Sequence, residues 1–107
     1  MGMFDFLRGP SIDEGVREYH DTEGAVLLDV RTPQEFAQGH VPGSVNVPLQ
    51  ELNRVTAVVP DPATPLFVYC QSGGRSGQAV GALQRAGYTT VKNIGGMGTY
   101  TGEVERS

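Results

Sequence analysis

A chain of 107 residues with 38% hydrophobic content holds one domain with a single core. Its net charge of −4 leaves no basic footprint for nucleic acid or for an anionic membrane surface. The one cysteine, Cys70, excludes an internal disulfide and a multi-cysteine metal site, and His20 and His40 are too dispersed for a metal cluster. No metal and no cofactor is therefore expected. No stretch is long enough to span a membrane. Asp5 breaks the apolar run from Met1 to Leu7, which does not read as a signal peptide. Met1-Gly2 opens like a myristoylation signal, but Phe6 stands where Ser or Thr is needed. The expected setting is the reduced cytoplasm, which suits a working thiol.

In chain order, residues 1–10 read as an N-terminal extension with Met3, Phe4, Phe6 and Leu7 on its apolar side, and residues 11–107 as the domain. Ser11-Ile12-Asp13-Glu14 is a capping-box pattern. It predicts a helix that faces inward through Ile12, Val16 and Tyr19 and stops between Asp21 and Gly24. Ala25 to Val30 is nearly all apolar and reads as a strand covered on both faces, with Asp29 near its end. Thr32-Pro33-Gln34-Glu35 is a second capping box with proline at the first helical position, and Gly39 ends that helix. A short strand is expected from Ser44 to Val47 and a short helix from Leu49 to Val55, with Leu49, Leu52 and Val55 on one face. Pro60, Pro62 and Pro65 mark a loop. Leu66 to Tyr69 reads as a buried strand, and Ala79, Val80, Leu83 and Ala86 line one face of a helix stopped by Gly87. Tyr88 to Ile94 gives a last strand, Gly95-Gly96 a sharp turn, and the tail from Thr101 a frayed end. Helices alternating with short apolar strands indicate an α/β fold: a small, mostly parallel sheet with helices on both faces.

The heptapeptide Cys70-Gln71-Ser72-Gly73-Gly74-Arg75-Ser76 stands where a strand ends and a helix begins. A lone cysteine there often serves as a small buried hydrophobe. Such a cysteine does not need two glycines, a serine and an arginine within the next six positions. Gly73 and Gly74 let the backbone cup around the sulfur. A cupped loop at a helix N-terminus aims several N–H groups at one point, binds anions and lowers a thiol pKa. In open parallel sheets ligands bind beyond the carboxyl ends of strands. Asp29 and Arg31 lie at another such end, so the two segments are expected to approach each other.

Three segments in order carry a family resemblance. Leu28-Asp29-Val30-Arg31, Glu35-Phe36, Gly39-His40-Val41-Pro42-Gly43-Ser44 and Asn46-Val47-Pro48 together resemble the first signature of the rhodanese domain. Val68 to Ser76 resembles its active-site loop in single-domain members, and Val91-Lys92-Asn93-Ile94-Gly95-Gly96 its closing strand and turn. The match runs from about Ile12 to Tyr100, and Tyr100 stands where the family usually carries Trp, a difference expected to affect packing only. The resemblance implies a rhodanese-like fold and sulfur transfer. Cys70 would be the catalytic nucleophile and persulfide carrier. Gln71, Ser72, Gly73, Gly74, Arg75 and Ser76 would bind the substrate and stabilise the sulfur anion. The implied partners are a small anionic sulfur donor, such as thiosulfate or a persulfide, and an acceptor that is cyanide or a thiol, including a thiol on a partner protein.

Supporting roles fall to Asp29, Arg31 and His40. Asp29 reads as structural, because an acid beside a thiolate would raise the thiol pKa. Arg31 and His40 are placed at the pocket mouth, His40 with a turn-fixing role. Arg75 has two roles open: binding an anionic donor, or bracing the loop by pairing with a carboxylate such as Asp29 or Glu35. Gln71 and Ser72 are neutral where some thiosulfate-using relatives carry basic residues. The resemblance extends to phosphatases and arsenate reductases with a rhodanese-like fold, which have a longer loop between Cys and Arg. Here four residues, Gln71 to Gly74, intervene, a ring that suits a sulfur atom better than a phosphoryl group. A non-catalytic, partner-binding module is the third reading, and the retained cysteine stands against it.

Overall fold

A computed structural model describes residues 11–107. The extension expected at residues 1–10 lies outside the described residues. Among the described residues four strands, β1 (Val26–Asp29), β2 (Val45–Asn46), β3 (Leu66–Cys70) and β4 (Val91–Gly96), form one sheet in the order β2-β1-β3-β4. Every pairing in it is parallel. The α/β expectation holds. Parallel neighbours need crossovers, and helices supply them. They are α1 (Ile12–Asp21) before the sheet, α2 (Pro33–Gln38), the four-residue α3 (Val55–Val58) and α4 (Gly74–Arg85).

Both capping boxes start helices. The Ser11 hydroxyl accepts from the Glu14 amide. Thr32 and Glu35 cap each other reciprocally: Thr32 Oγ1 accepts from the Glu35 amide at 3.2 Å and Glu35 Oε1 from the Thr32 amide at 3.0 Å. Alternation along β3 divides the core. Leu66, Val68 and Cys70 face α4 and α3 together with Leu28, Val30, Val55, Ala79 and Leu83. Phe67 and Tyr69 face α1 together with Ile12, Val16, Leu27, Val41 and Ile94. Tyr100 packs against this second cluster.

Four local expectations are corrected. The helix expected at Leu49 to Val55 is a 3-10 segment, Leu49–Arg54, kinked at Glu51 and passing into α3. Ala86 is the exposed C-cap of α4 and is not on its buried face. The last strand, expected from Tyr88 to Ile94, runs from Val91 to Gly96, so Gly95-Gly96 is not a turn. The two glycines end β4, paired with Tyr69 and Cys70. Pairing jumps from Val68–Asn93 to Tyr69–Gly95, which leaves Ile94 as the extra residue of a bulge. The tail is not frayed. Thr101 is held by Asp13 through its amide (3.0 Å) and hydroxyl (2.7 Å), and Glu105 exchanges backbone bonds with His40 at 2.9 Å. No helix among the described residues is long and apolar enough to cross a membrane.

Candidate active site

The chain leaves β1 for β2 on one side and later returns to β3 on the other, so β1 and β3 flank the point where the strand order reverses. A crevice opens beyond the carboxyl ends of such strands. Asp29 and Arg31 come from β1 and its continuation, and Cys70 and its loop from β3. Asp29 is fully buried. Its carboxylate accepts from Arg31 Nε at 3.0 and 3.1 Å and from Nη2 at 2.7 Å. The other edge of the guanidinium donates to Gln71 Oε1 at 3.2 Å, and Nη2 also donates to Gly39 O at 2.7 Å. Arg31 is thus a strut between β1 and the Cys70 loop, its charge matched by Asp29.

Cys70 is the last residue of β3 and is buried. Its loop neighbours Gln71, Ser72 and Gly74 are exposed. Sγ accepts the Gly73 amide at 3.0 Å and lies 3.4 Å from Ser76 Oγ. Burial pushes the thiol pKa up. The Ser76 hydroxyl and amide, with the Ser72 and Gly73 amides, outweigh it, and the pKa falls below the ordinary thiol value. Gly73 carries the turn: at φ +99° it is the N-cap of α4, a left-handed conformation that disfavours any side chain. Gly74 is different. It is the first residue of α4, has no positive φ and has open space around its Cα. The expectation that both glycines are needed for the cup is corrected to Gly73 alone.

Of the two carboxylates named as partners for Arg75, the structure pairs it with Glu35. Its guanidinium makes a bidentate pair with Glu35, Nη1 to Oε1 at 2.8 Å and Nη2 to Oε2 at 3.0 Å. That pairing, against a burial penalty and with help from Thr32, holds the Glu35 carboxyl at about 2. His40 fixes the end of α2: Nδ1–H donates to Phe36 O at 2.7 Å and the ring stacks on Phe36 at 3.7 Å between centroids. Its partners are Phe36 and Glu105, not the sulfur loop.

Two residues of the site escape a sequence reading. Gly96 pairs with Cys70 across the sheet, and a Cβ there would stand 2.3 Å from Gln71 O and 2.6 Å from Ser72 N. The loop lies directly on the Gly96 backbone. Asn93 reaches from β4 to Ser76 and Gly73. The only signal in the sequence is a strand-averse Asn within an apolar segment, two residues before a Gly pair. No group of acidic, His or Cys side chains able to hold a metal ion occurs among the described residues.

The rhodanese-like domain model matches residues 13–102. Thiosulfate sulfurtransferase PspE of Escherichia coli is 45% identical over 71 residues, which span 65% of this chain and 68% of that protein. Chloroplastic thiosulfate sulfurtransferase 16 of Arabidopsis thaliana is 44% identical, over 68% of this chain and 70% of that one. The solved rhodanese with anions from E. coli is 38% identical, with a TM-score of 0.73 over 78% of this chain and 99% of that chain. An α/β sheet with its cysteine loop at the strand-order reversal, matched by family and by structure, defines a sulfurtransferase. The chain belongs to the rhodanese-like domain family.

Proposed function

We propose that Cys70 carries a sulfane sulfur between two molecules. In the first half-reaction the Cys70 thiolate attacks the outer sulfur of a donor such as thiosulfate. A Cys70 S–S bond forms, the donor's S–S bond breaks, and sulfite leaves with the bonding pair. Charge balances, because the thiolate becomes a singly charged persulfide and one dianion replaces another. In the second, cyanide or a thiolate takes the outer sulfur as thiocyanate or a persulfide and restores the Cys70 thiolate. Two half-reactions through one covalent enzyme form are the pattern of nucleophilic catalysis. The relatives named as thiosulfate sulfurtransferases support thiosulfate as a usable donor.

The observation that carries this reading is the Gly73 amide on Cys70 Sγ at 3.0 Å, at the N-terminus of a twelve-residue helix. Amides and a helix terminus stabilise an anion without a fixed counter-charge. Against a phosphatase, the loop arginine is occupied by Glu35 and is not free to clamp a phosphoryl group. Intact mass tests the proposal. Thiosulfate should add one sulfur atom to the protein, cyanide or a thiol should remove it, and Cys70→Ser should gain none. Persistence of the gain in Cys70→Ser, or its absence from the wild type, defeats the assignment. Aryl phosphates should not be turned over.

A further inference from the structure

Asn93 sits where the β4 bulge begins, its side chain against α4 beside Gly77. Its carboxamide makes three bonds. Oδ1 accepts from Gly95 N at 3.0 Å and from Ser76 Oγ at 2.7 Å, and Nδ2 donates to Gly73 O at 3.2 Å. The orientation of the amide is chemically fixed. Gly95 N–H can only donate and Gly73 C=O can only accept, so the oxygen must face the first and the nitrogen the second. Gly73 and Ser76 make the hydrogen bonds to Cys70 Sγ at 3.0 and 3.4 Å. Asn93 therefore bonds the Ser76 hydroxyl directly and anchors Gly73 through its carbonyl.

The Ser76 hydroxyl has one proton. Three acceptors surround it: Asn93 Oδ1 at 2.7 Å, Gly73 O at 3.0 Å and Cys70 Sγ at 3.4 Å. With a neutral thiol, the shortest contact takes the proton and the hydroxyl oxygen is left to accept from S–H. A thiolate is the stronger acceptor and draws the proton to itself, while Asn93 Oδ1 keeps the Gly95 amide. We propose that Asn93 is a positioning residue for the sulfur: it aims the Gly73 amide and serves as the resting acceptor from which the Ser76 hydroxyl turns when Cys70 ionises. No proton leaves Ser76 in this exchange; only the O–H direction changes. The charged groups around the loop are Arg75 with Glu35, from α4 and α2, and Arg31 with Asp29, from β1 and its continuation. On β4 itself Lys92 is paired with Glu18 of α1. Each cation has its carboxylate, which leaves the hydroxyl and the amides to respond to charge on the sulfur.

The inference rests on Cys70 as the working thiol, and its test separates the two claims. Asn93→Asp keeps the shape but places a carboxylate behind Ser76. It retains the hydroxyl proton, adds a like charge near the sulfur and sets an acceptor against Gly73 O. The rate of Cys70 alkylation by iodoacetamide against pH should show a midpoint raised by about one unit or more, and alkylation near neutral pH about tenfold slower. A folded Asn93→Asp protein with the wild-type midpoint overturns the proposal. Should that variant fail to fold, the wild type decides alone. In an NMR pH titration the Asn93 side-chain amide signals should move with the same midpoint as alkylation. Those of Asn46, bound to the Asp29 and Arg31 carbonyls, should stay in place. Asn93 signals that do not move through the midpoint, or that move only as Asn46 does, overturn it. Loss of persulfide formation with this coupling intact would instead count against sulfur transfer by Cys70.

Discussion

Gly96→Ala puts a methyl group into backbone. The new Cβ would lie 2.3 Å from Gln71 O, 2.5 Å from Gln71 C and 2.6 Å from Ser72 N. Ordinary contact begins about 1 Å further out, and none of these atoms belongs to a side chain that can swing aside. The loop must lift by about that amount. Lifting it opposes the bond from Gly98 N to Gln71 O at 3.1 Å and the Arg31–Gln71 strut. Overpacking of this kind costs about 1–3 kcal/mol, and a midpoint value corresponds to a fall of roughly 10 °C in Tm for a domain this size. Misplacing a reacting group by about 1 Å costs on the order of 100-fold in rate. Sulfur transfer from thiosulfate to cyanide should drop by about that factor, and alkylation of Cys70 should slow. The control is Gly74→Ala, which meets open space at a helical φ and should keep full activity while gaining about 0.5 kcal/mol. If folded Gly96→Ala transfers sulfur within about twofold of wild type, close packing of the loop on β4 does not position the sulfur.

Arg31→Ala strands the fully buried Asp29 carboxylate and should cost about 3–5 kcal/mol in urea unfolding; a loss below about 1 kcal/mol would mean that the pair is not the strut described. The Glu35–Arg75 pair makes a pH prediction. Glu35 is held at about 2 against an ordinary 4.5, chiefly by Arg75, so its stabilisation is complete above 4.5 and is lost as pH falls toward 2. The pair is about one-third exposed, which limits its worth to roughly 1 kcal/mol or less. The gap in urea midpoint between wild type and Glu35→Gln should therefore be present at pH 7 and smaller at pH 3; an equal gap at both would place its origin outside this ionisation.

Local chemistry was readable from the residues and long-range chemistry was not. The Ser11 and Thr32 caps join groups three residues apart, so they are as visible in sequence as in space. The apolar run of β3 marks a strand, but burial on both faces erases the alternation that would say which residues face α1 and which α4. Gly95-Gly96 has the local form of a turn. Its use is set by the Cys70 loop lying on Gly96, a contact from a distant segment. The same holds for the tail, which is polar and exposed yet fixed by Asp13, 88 residues earlier. For Arg75 the sequence offers two carboxylates. The choice of Glu35 follows from a contact across 40 residues, which only the tertiary fold determines.

The placement of the two arginines bears on how the proposed cycle turns over. Each is bonded to a carboxylate, Arg31 to Asp29 and Arg75 to Glu35, and each joins the Cys70 loop to the chain around β1 and α2. They hold the loop's shape without giving it net charge. What faces the sulfur is a set of dipoles: the Gly73 and Ser72 amides, the Ser76 hydroxyl and amide, and the end of α4. In the proposed cycle the charge is minus one in both forms, on Sγ in the thiolate and on the outer sulfur in the persulfide. A fixed cation aimed at the site would hold an anionic donor more tightly, and would hold its anionic product equally. Binding the donor no more weakly than the transition state does not lower the barrier to transfer. In the proposed cycle the preorganised dipoles stabilise the thiolate and leave the departing anion to water. Tighter donor binding should therefore come at the cost of product release in any variant that frees Arg75 from Glu35.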